Sequence, residues 1–417
     1  MKEKIKLGYI GLGRRGYTLL VHCFSKMPDV EITMICDLSE ARMAKAAKLV
    51  LENSGHEPVM TKNYLDIINS PEIDAVAIMT GWSGRPKMAR EAMLAGKYVG
   101  VEVGCADTLE ECFELIDVYE KTKIPLMMLE NCCYNRREMM ALNMVKQGLF
   151  GEIVHCTGGY CHYLNQEDLF IRIDKEEIPH YRLEEYVKRN RENYPTHALG
   201  PISKVLSINR GNRFISLNSV ASKARGIKSY VKETFGEDSK YAKIDYKQGD
   251  IVNTIITCAG GETVLLTLDT TTPRAYYNRK FGVHGTKGMC DEERRVFYLD
   301  GMKEELENNE DEMFEKYDHP LHKQYQAEGV KEGHGGMDWL VCRAFIESVK
   351  NQTNTPIDAY DTVTWMAIGP LSEESIKKGG APVEFPDFTR GKWQMREPVV
   401  EGKYCLDKVC IDTQTKI

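Results

Sequence analysis

The sequence predicts an α/β protein with an N-terminal doubly wound parallel sheet and a C-terminal α+β domain built on a large, mostly antiparallel open sheet. Over roughly the first 130 residues, apolar strand-like runs alternate with amphipathic helical stretches, the pattern of βαβ units. A glycine-rich turn, Gly11–Gly16, directly follows the first apolar run. Beyond residue 131, strand-like runs follow one another with few helices between them, which favours an antiparallel sheet.

Length and composition limit the possible functions. The chain has 417 residues, and domains average about 150 residues, so we predict domains at 1–130 and 131–417, with the C-terminal helices as candidates for packing back on the first. A hydrophobic share of 42% and a charged share of 28% argue against a disordered or fibrous chain. The net charge of -7 gives no electrostatic reason to bind nucleic acid or an anionic membrane.

In the N-terminal part, each predicted strand is a short apolar run, and each predicted helix is an amphipathic stretch close to Gly, Pro, Asp or Ser. The predicted strands are Ile5–Ile10, Glu31–Cys36, Ala75–Met79, Tyr98–Glu102 and Leu126–Leu129. The predicted helices between them are Arg15–Lys26, Glu40–Leu51, Lys87–Ala95 and Leu109–Lys121.

The C-terminal part begins with one helical stretch, Glu138–Gln147. The strand-like runs that follow are Ile153–Tyr160, Ile251–Cys258, Thr263–Asp269 and Lys280–Val283. Two more helical stretches are predicted at Met337–Lys350 and Tyr360–Lys377. The acidic segment Glu304–Glu315 is predicted to be a solvated loop, because it is rich in carboxylates.

The glycine-rich turn has the spacing and context of a Rossmann dinucleotide-binding loop. Gly11 permits the tight turn, Gly13 lets a pyrophosphate approach the backbone, and Gly16 allows the helix to pack closely on the strand. The intervening residues, Leu12, Arg14 and Arg15, complete the predicted loop.

Asp37 ends the second predicted strand, where a carboxylate accepts hydrogen bonds from the adenosine ribose and repels a 2′-phosphate. This position favours NAD over NADP. Arg14 and Arg15 argue weakly for NADP, unless they face the pyrophosphate or solvent. Trp82 follows the third predicted strand at the sheet edge where ligands collect, so it is a candidate both for lining the cofactor and for packing.

No signal peptide precedes the first strand, and no apolar run approaches the roughly 20 residues of a membrane helix, so we expect a cytoplasmic protein. The 13 cysteines are scattered without a C-x-x-C pair, and we expect mostly buried free thiols. Two groups suggest a metal, namely Asp318 with His319 and His322, and His155 with Cys156, Cys161 and His162. Neither has the spacing of a helical zinc motif, so we predict no metal site.

The segment Gly96–Gly104 resembles the Gfo/Idh/MocA group of sugar oxidoreductases. Members of that group usually carry Glu-Lys-Pro at the end of this strand, and the lysine acts on the substrate hydroxyl. Here the tripeptide is Glu102-Val103-Gly104. Because valine cannot help to withdraw a proton as a hydride leaves, an ordinary sugar dehydrogenase is a poorer fit.

Further segments, spread in order over nearly the whole chain, are similar to one branch of that group, the NAD-dependent α-N-acetylgalactosaminidases of glycoside hydrolase family 109. They are Leu129–Tyr134, Gly158–Tyr160, Tyr194–His197 with Leu199–Pro201, Asn209–Phe214, His334–Asp338 and Phe385–Gly391. One departure is Thr80–Arg85, which reads Thr-Gly-Trp-Ser-Gly-Arg where the family commonly shows Thr-Pro-Trp-Glu-Trp-His.

The resemblance implies hydrolysis of a glycoside through redox chemistry. The sugar is oxidised at C3, a base removes the C2 proton, the anomeric group is eliminated, water adds, and the hydride returns, so that NAD is recycled. The implied substrate is a carbohydrate with α-linked N-acetylgalactosamine or a relative of it. The protein supplies orientation, proton transfer and stabilisation of the enolate.

The resemblance also implies site residues. His197, Tyr194 and Tyr160 are the catalytic candidates, and histidine suits proton traffic near neutral pH because its unperturbed pKa is about 6.5. A free phenol titrates near pH 10, so a tyrosine base needs a positive charge nearby. Glu130 and Arg182 are expected to bind the sugar.

Three assignments remain. The last family tyrosine falls on Tyr276 or Tyr277, depending on the direction of counting, and the sequence does not choose between them. Glu102 and Asn131 join the predicted cofactor residues.

Two other functions stay open: a sugar or inositol dehydrogenase with net turnover of nicotinamide, and a non-catalytic NAD sensor. By analogy, we also expect a homo-oligomer.

Overall fold

Parallel strands form the first sheet of the protein. The computed structural model describes residues 3–165, 169, 180–303, 306–329, 334–399 and 402–408. Within these ranges the sheet has six strands: β1 (Ile5–Ile10), β2 (Val30–Cys36), β3 (Val59–Thr61), β4 (Ala75–Ile78), β5 (Tyr98–Val101) and β6 (Leu126–Met128). Their order is β3-β2-β1-β4-β5-β6. The order reverses between β1 and β4, and ligands of doubly wound sheets bind at such a switch point.

The second sheet has eight strands in the described part of the chain. They are β7 (Ile153–Cys161), β8 (Phe214–Ala221), β9 (Ile251–Cys258), β10 (Thr263–Asp269), β11 (Gly282–Gly285), β12 (Gly288–Asp291), β13 (Val296–Leu299) and β14 (Val383–Glu384). Their order is β13-β12-β11-β7-β10-β9-β8-β14. All neighbouring pairs are antiparallel except β7 and β10, which run parallel. The predicted fold class is therefore confirmed.

Helices connect and cover the strands. They are α1 (Arg14–His22), α2 (Glu40–Ser54), α3 (Tyr64–Asn69), α4 (Arg85–Leu94), α5 (Leu109–Thr122), α6 (Arg136–Lys146), α7 (Tyr181–Lys188), α8 (Thr196–Val205), α9 (Gly226–Phe235), α10 (Glu310–Tyr317), α11 (Pro320–Ala327), α12 (Met337–Asn351), α13 (Ala359–Met366) and α14 (Ile368–Lys377). The predicted N-terminal strands and helices are all present, with their ends shifted by a few residues. The edge strand β3 and helix α3 were not predicted.

Two predictions about the C-terminal part were wrong. The acidic segment Glu304–Glu315 is not simply a solvated loop, because α10 begins at Glu310 and buries Met313 and Phe314. Glu310 is itself buried and pairs with Arg295, Oε2 to Nε, at 3.2 Å. Residues 306–309 of that segment lie outside any helix or strand, and residues 304 and 305 lie outside the described residues.

The stretch Tyr360–Lys377 was predicted as one helix but forms α13 and α14. The break precedes Pro370 in the first turn of α14. Proline has no backbone N–H to continue a helix from the preceding turn, whereas it is tolerated in the first turn of a new one.

The chain folds into two compact units. The first comprises residues 1–143, 317–364 and 397–417, and the second comprises 144–316 and 365–396. The domains predicted at 1–130 and 131–417 follow chain order, whereas these units interleave, because segments after residue 316 return to the first unit.

The described cysteines are free and buried, as predicted; they are Cys23, Cys36, Cys105, Cys112, Cys132, Cys133, Cys156, Cys161, Cys258, Cys290, Cys342 and Cys405. No helix in the described ranges is both long enough and apolar enough to cross a membrane.

Close packing of α8 on β7 positions one part of the candidate site. A Cβ atom on Gly158 of β7 would lie 2.5 Å from the Cβ of Ala198 on α8. A Cβ on Gly159 would lie 2.4 Å from the carbonyl oxygen of Thr267 on β10. The two glycines therefore let a helix and a strand approach β7 more closely than any larger residue allows.

Candidate active site

The glycine-rich loop after β1 has the features of a dinucleotide cradle. Gly11 has a φ of 98°, and a Cβ there would lie 2.7 Å from the backbone carbon of Met79. A Cβ on Gly16 would lie 2.2 Å from the carbonyl oxygen of Gly11, so close packing requires glycine there too. Gly13 differs, because a Cβ on it would have no protein atom within 4 Å. It precedes α1 without a side-chain cap, so the space and the amides beside it fit a pyrophosphate.

Asp37 follows β2 and is joined to the same loop. Its Oδ2 accepts a hydrogen bond from the backbone N–H of Leu12 at 2.7 Å, and its Oδ1 accepts one from Ser39 at 2.9 Å. The loop and the carboxylate expected at the ribose are therefore held together at the carboxyl edge of the sheet, as the fingerprint predicts.

The two arginines of the loop have different surroundings. Arg14 is exposed. Arg15 donates two hydrogen bonds to the carboxylate of Asp338, both at 2.7 Å, and one to Oε1 of Glu102 at 3.0 Å. The weak argument for NADP does not extend to Arg15, because its guanidinium is already held by two carboxylates.

Asp338 on α12 connects the predicted cofactor residues, and sequence reasoning missed it. It is buried, and it accepts hydrogen bonds from Arg15, from Asn131 Nδ2 at 2.7 Å, and pairs with His334 Nδ1 at 2.7 Å. Burial acts to raise the pKa of Asp338, but hydrogen bonds from Arg15 and His334 lower it well below its ordinary value. Its presence in the family-like segment His334–Asp338 was the available signal.

Trp82 follows β4 and is buried. Gly104, which replaces the usual proline, has a φ of 152°, and a Cβ on it would lie 2.2 Å from Cδ1 of Trp82. The buried guanidinium of Arg85 donates to the carbonyl oxygens of Thr80, Glu102 and Val103. Arg85 and Gly104, two departures from the family pattern, therefore pack with Trp82 in one arrangement, which favours the packing interpretation of Trp82.

In the second unit, four predicted residues converge on the end of β7. The ring of Tyr160 lies 4.2 Å from that of Tyr194 and 5.8 Å from that of His197, between centroids. The rings of Tyr194 and His197 are 5.0 Å apart and nearly perpendicular. The guanidinium carbon of Arg182 on α7 lies 4.5 Å from the Tyr194 ring and 5.8 Å from the Tyr160 ring. We call Tyr160, Arg182, Tyr194 and His197 the β7 cluster.

The charge in the β7 cluster comes from Arg182, which is buried. Burial acts to lower the pKa of Arg182, but the phenol groups of Tyr181, Tyr160 and Tyr194 raise it well above its ordinary value. Arg182 is thus a permanent cation beside two tyrosines. A cation in this position stabilises a phenolate or an enolate.

The two candidate tyrosines after β10 occupy different places. The Tyr277 ring lies 5.9 Å from the Tyr160 ring and 5.2 Å from the His162 ring, with edge contacts to both. The hydroxyl of Tyr276 instead donates to Oε1 of Glu293 at 2.5 Å. Of the two, Tyr277 is the one that joins the β7 cluster.

Two residues that the sequence argument did not assign to the sugar site lie next to the cluster. Nδ1 of His162 is 3.1 Å from the hydroxyl oxygen of Tyr160. Glu192 is buried, and its Oε1 accepts a hydrogen bond from the backbone N–H of Tyr194 at 3.2 Å. Burial raises the pKa of Glu192 to about 8, although that hydrogen bond acts in the opposite direction. Each residue is two positions from a predicted site tyrosine, which was the only sequence signal.

Glu130 follows β6 in the first unit and is buried. Its Oε1 accepts a hydrogen bond from the backbone N–H of Cys132 at 3.0 Å, which caps the short 3-10 helix Asn131–Tyr134. This capping fixes the carboxylate at the sheet edge, where it was predicted to bind sugar hydroxyls.

The two histidine groups that the sequence suggested as metal sites make hydrogen bonds or ion pairs within the fold. Nδ1 of His319 accepts from the N–H of Leu321 at 3.1 Å, and its Nε2 lies 2.9 Å from the carbonyl oxygen of Leu406. His322 pairs with Asp318 at 3.2 Å. In the other group, Nδ1 of His155 lies 2.8 Å from the hydroxyl of Thr263.

Comparisons with known proteins identify the families that match the two parts of the chain. Residues 134–395 match the family described as glycosyl hydrolase 109, C-terminal domain, and residues 5–129 match the oxidoreductase family, NAD-binding Rossmann fold. The α-N-acetylgalactosaminidase of Tannerella forsythia is 39% identical over 414 residues, covering 94% of this chain and 88% of that protein. A glycosyl hydrolase family 109 protein of Stenotrophomonas maltophilia is 40% identical over 429 residues, covering 96% and 93%.

Solved structures with the same fold are more distant in sequence. Levoglucosan dehydrogenase in complex with NADH and L-sorbose superposes with a TM-score of 0.70 at 19% identity, covering 93% of this chain and 100% of that one. Apo scyllo-inositol dehydrogenase from Lactobacillus casei gives 0.65 at 17% identity, covering 92% and 99%. These likenesses establish the fold.

Proposed function

The chain belongs to glycosyl hydrolase family 109, within which it is a glycosidase with an NAD-binding domain, and from that premise we propose that it cleaves α-linked N-acetylgalactosamine or a close relative. The observation that carries the proposal is the convergence of Tyr160, Tyr194, His197 and Arg182 in the β7 cluster. The name of the Tannerella forsythia relative supports the choice of sugar.

The cofactor would be held by residues of the first unit: Gly11, Leu12, Gly13, Arg14, Gly16, Asp37, Glu102 and Asn131. When bound, NAD supplies reversible oxidation at C3 of the sugar. Arg15 contributes by holding Glu102, and it shares Asp338 with Asn131.

The protein's own residues would manage protons and charge. With a carbonyl at C3, the C2 proton is acidic, and a base of the β7 cluster removes it while Arg182 stabilises the enolate. The bond between C1 and the aglycone oxygen then breaks, and His197 donates a proton to that oxygen. Water adds to C1 with His197 as the base, and C2 regains a proton. Tyr277 would hold the sugar beside the β7 cluster, and Glu130 is the sugar-binding candidate of the first unit.

The test uses para-nitrophenyl α-N-acetylgalactosaminide in deuterated water. We expect cleavage without net NADH formation, and deuterium at C2 of the released sugar. Protein from which NAD has been removed should be inactive and should recover when NAD is restored, which is the matched control. Release of a sugar without deuterium at C2 would contradict the elimination mechanism.

A variant tests the role of His197. We expect His197→Asn to lower kcat by about 10²–10⁴-fold, the usual contribution of general acid–base catalysis. His155→Asn is the matched control, because His155 lies on β7 and contacts Thr263 and His284. A full rate in His197→Asn would remove His197 from the mechanism.

A sugar dehydrogenase is the second candidate, favoured by the fold shared with levoglucosan and inositol dehydrogenases. Val103 argues against it, because a dehydrogenase of this group uses a lysine at that position. Stoichiometric accumulation of NADH with a free sugar, without glycoside cleavage, would favour it.

A further inference from the structure

His162 lies on the same side of the sheet as Tyr160. The two residues are separated by one position, and side chains two positions apart in an extended chain point to the same face. His162 follows the last residue of β7, but its backbone N–H still donates to the carbonyl oxygen of Asp269 on β10 at 2.9 Å. The strand geometry therefore continues through His162 and sets the face of the sheet on which its side chain lies.

The ring of His162 also contacts the ring of Tyr277, and a backbone bridge beside these residues holds them together. Cys161, between Tyr160 and His162, forms a bridge with Asn278, with backbone hydrogen bonds of 3.0 and 3.1 Å. This bridge places the neighbouring Tyr277 against both rings, at 5.2 Å from His162 and 5.9 Å from Tyr160. The imidazole is thus confined between two tyrosines.

The contact between the two side chains is a hydrogen bond. The hydroxyl oxygen of Tyr160 and Nδ1 of His162 are 3.1 Å apart, and one proton occupies the space between them. With the proton on oxygen, the phenol donates and the imidazole accepts. With the proton on nitrogen, Tyr160 is a phenolate beside an imidazolium.

A fixed positive charge nearby stabilises the negative charge that develops on the phenol oxygen when the proton moves to nitrogen. Arg182 on α7 lies 5.8 Å from the Tyr160 ring and supplies a fixed positive charge. Tyr194, just before α8, and His197, in the first turn of α8, lie against the Tyr160 ring, and Tyr277 makes an edge contact with the same ring. Three charged groups, Arg274, Lys280 and Asp269, also act on the adjacent Cys161, together with the carboxyl group of Glu192, which burial keeps protonated below about pH 8.

We propose that His162 is a positioning residue that takes the phenolic proton of Tyr160, so that Tyr160 becomes the base for the C2 proton of the sugar. The inference rests on the proposed function. In the step, the O–H bond of Tyr160 breaks as an N–H bond forms on His162. The phenolate then accepts the C2 proton, and the electron pair of the C–H bond enters the enolate. Both transfers reverse when C2 is protonated again.

The test compares two variants with the native holoenzyme. His162→Phe keeps a ring against Tyr160 and Tyr277 but has no nitrogen. His162→Asn keeps a polar atom near the position of Nδ1 but cannot take up a proton. His155→Asn, on the same strand, is the matched control. Retention of NADH by each protein, followed by fluorescence, reports that the fold is intact.

Two readouts are needed. The first is the rate of exchange of the sugar's C2 proton with deuterated water. We expect this rate to fall about 100-fold or more in both His162 variants, with KM nearly unchanged, because proton transfer is lost while binding is kept. The second is the ionisation of Tyr160, followed by NMR of Cζ-labelled tyrosine and assigned with Tyr160→Phe. We expect Tyr160 to ionise at a higher pH in His162→Phe than in the native protein.

The proposal requires both results, a slower exchange of the C2 proton and a higher ionisation pH of Tyr160. A slower exchange with unchanged ionisation of Tyr160 would make His162 merely structural, and a changed ionisation with full exchange would show that Tyr160 is not the base. If the native protein exchanges no C2 proton and cleaves no glycoside, the proposed function fails. The ionisation of Tyr160 then still decides whether the two residues share a proton.

Discussion

Tyr276 and Tyr277 are neighbours in the chain, but their side chains have different partners. Tyr277 touches Tyr160 and His162, whereas Tyr276 binds Glu293. We therefore expect Tyr277→Ala to lower kcat/KM by up to about tenfold, the value of one lost aromatic contact. Tyr276→Ala is the comparison and should have much the smaller effect. Steady-state kinetics on the para-nitrophenyl glycoside measure both, and the reverse order would place Tyr276 in the site.

Glu192 makes stability depend on pH. Its pKa is raised to about 8 by burial, so the folded protein keeps a proton that the unfolded chain loses near its ordinary pKa of 4.5. The folded state binds more protons between these values, so the free energy of unfolding falls as the pH rises. The contribution of Glu192 is complete below the unfolded pKa and is lost by about pH 8.

The variant Glu192→Gln removes this dependence and keeps an acceptor for Tyr194. We expect it to become more stable relative to the native protein from about pH 5 to about pH 8, by a few kcal/mol, at about 1.4 kcal/mol for each pKa unit. Urea unfolding at both pH values measures the difference. Glu184→Gln, at an exposed position on α7, is the control. A difference that stays constant with pH would contradict the role of Glu192.

At the scale of an element, the turn from β1 to α1 contains one glycine that we expect to serve NAD binding, Gly13, and another that serves packing, Gly16. Gly13→Ala adds a methyl group to open space, so we expect normal thermal stability but NAD binding weaker by about tenfold or more, equivalent to about 1.4 kcal/mol. Gly16→Ala forces a Cβ against Gly11, so we expect a loss of stability of about 1–3 kcal/mol. Thermal unfolding and NADH fluorescence titration distinguish the two. Equal effects of both variants on stability would show that Gly13 is also a packing residue.

Elements with a clear repeat were predictable, and elements that depend on distant partners were not. The strands Ile251–Cys258 and Thr263–Asp269 were predicted with correct ends, because they are apolar runs bounded by turn residues. The strand β3 reads Val-Met-Thr and has two exposed residues among its three, so its apolar run is too short to predict a strand. Helix α10 was missed because its carboxylates suggested solvent, whereas Arg295 neutralises the buried Glu310.

The same limit applies to the candidate site. The glycine loop, Tyr160, Tyr194 and His197 lie in local motifs that the sequence shows, whereas Arg182 was predicted from the family resemblance alone. The choice of Tyr277 depends on the bridge between Cys161 and Asn278, and the partner of Arg15 lies far away in α12. No local pattern contains either contact.

At the scale of the molecule, Asp338 joins distant parts of the first unit. It binds Arg15 after β1, Asn131 after β6 and His334 before α12. The pKa of Asp338 is lower in the folded protein than in the unfolded chain. Its contribution to the free energy of unfolding is therefore present above the unfolded pKa and is lost as the pH falls through the folded pKa. We expect Asp338→Asn to lower the free energy of unfolding near pH 7 by about 3 kcal/mol, because it breaks a buried ion pair.

The difference between Asp338→Asn and the native protein should shrink on acidification, since both then carry a neutral side chain. Denaturant unfolding across the acidic range measures this trend. Asp300→Asn, at an exposed position, serves as the control. A difference that persists unchanged in acid would mean that the charge of Asp338 is not what stabilises the unit.

The parallel pairing of β7 with β10 affects how the protein acquires activity during synthesis. Residues 162–262 separate the two strands, so their pairing is a long-range contact, and such contacts form later than local helices. We therefore expect the end of β7 that carries Tyr160 to take its final register only after β10 has been synthesised. A refolding sample should therefore regain its helical circular dichroism before its glycosidase turnover, and the interval between the two would report the docking of these two strands.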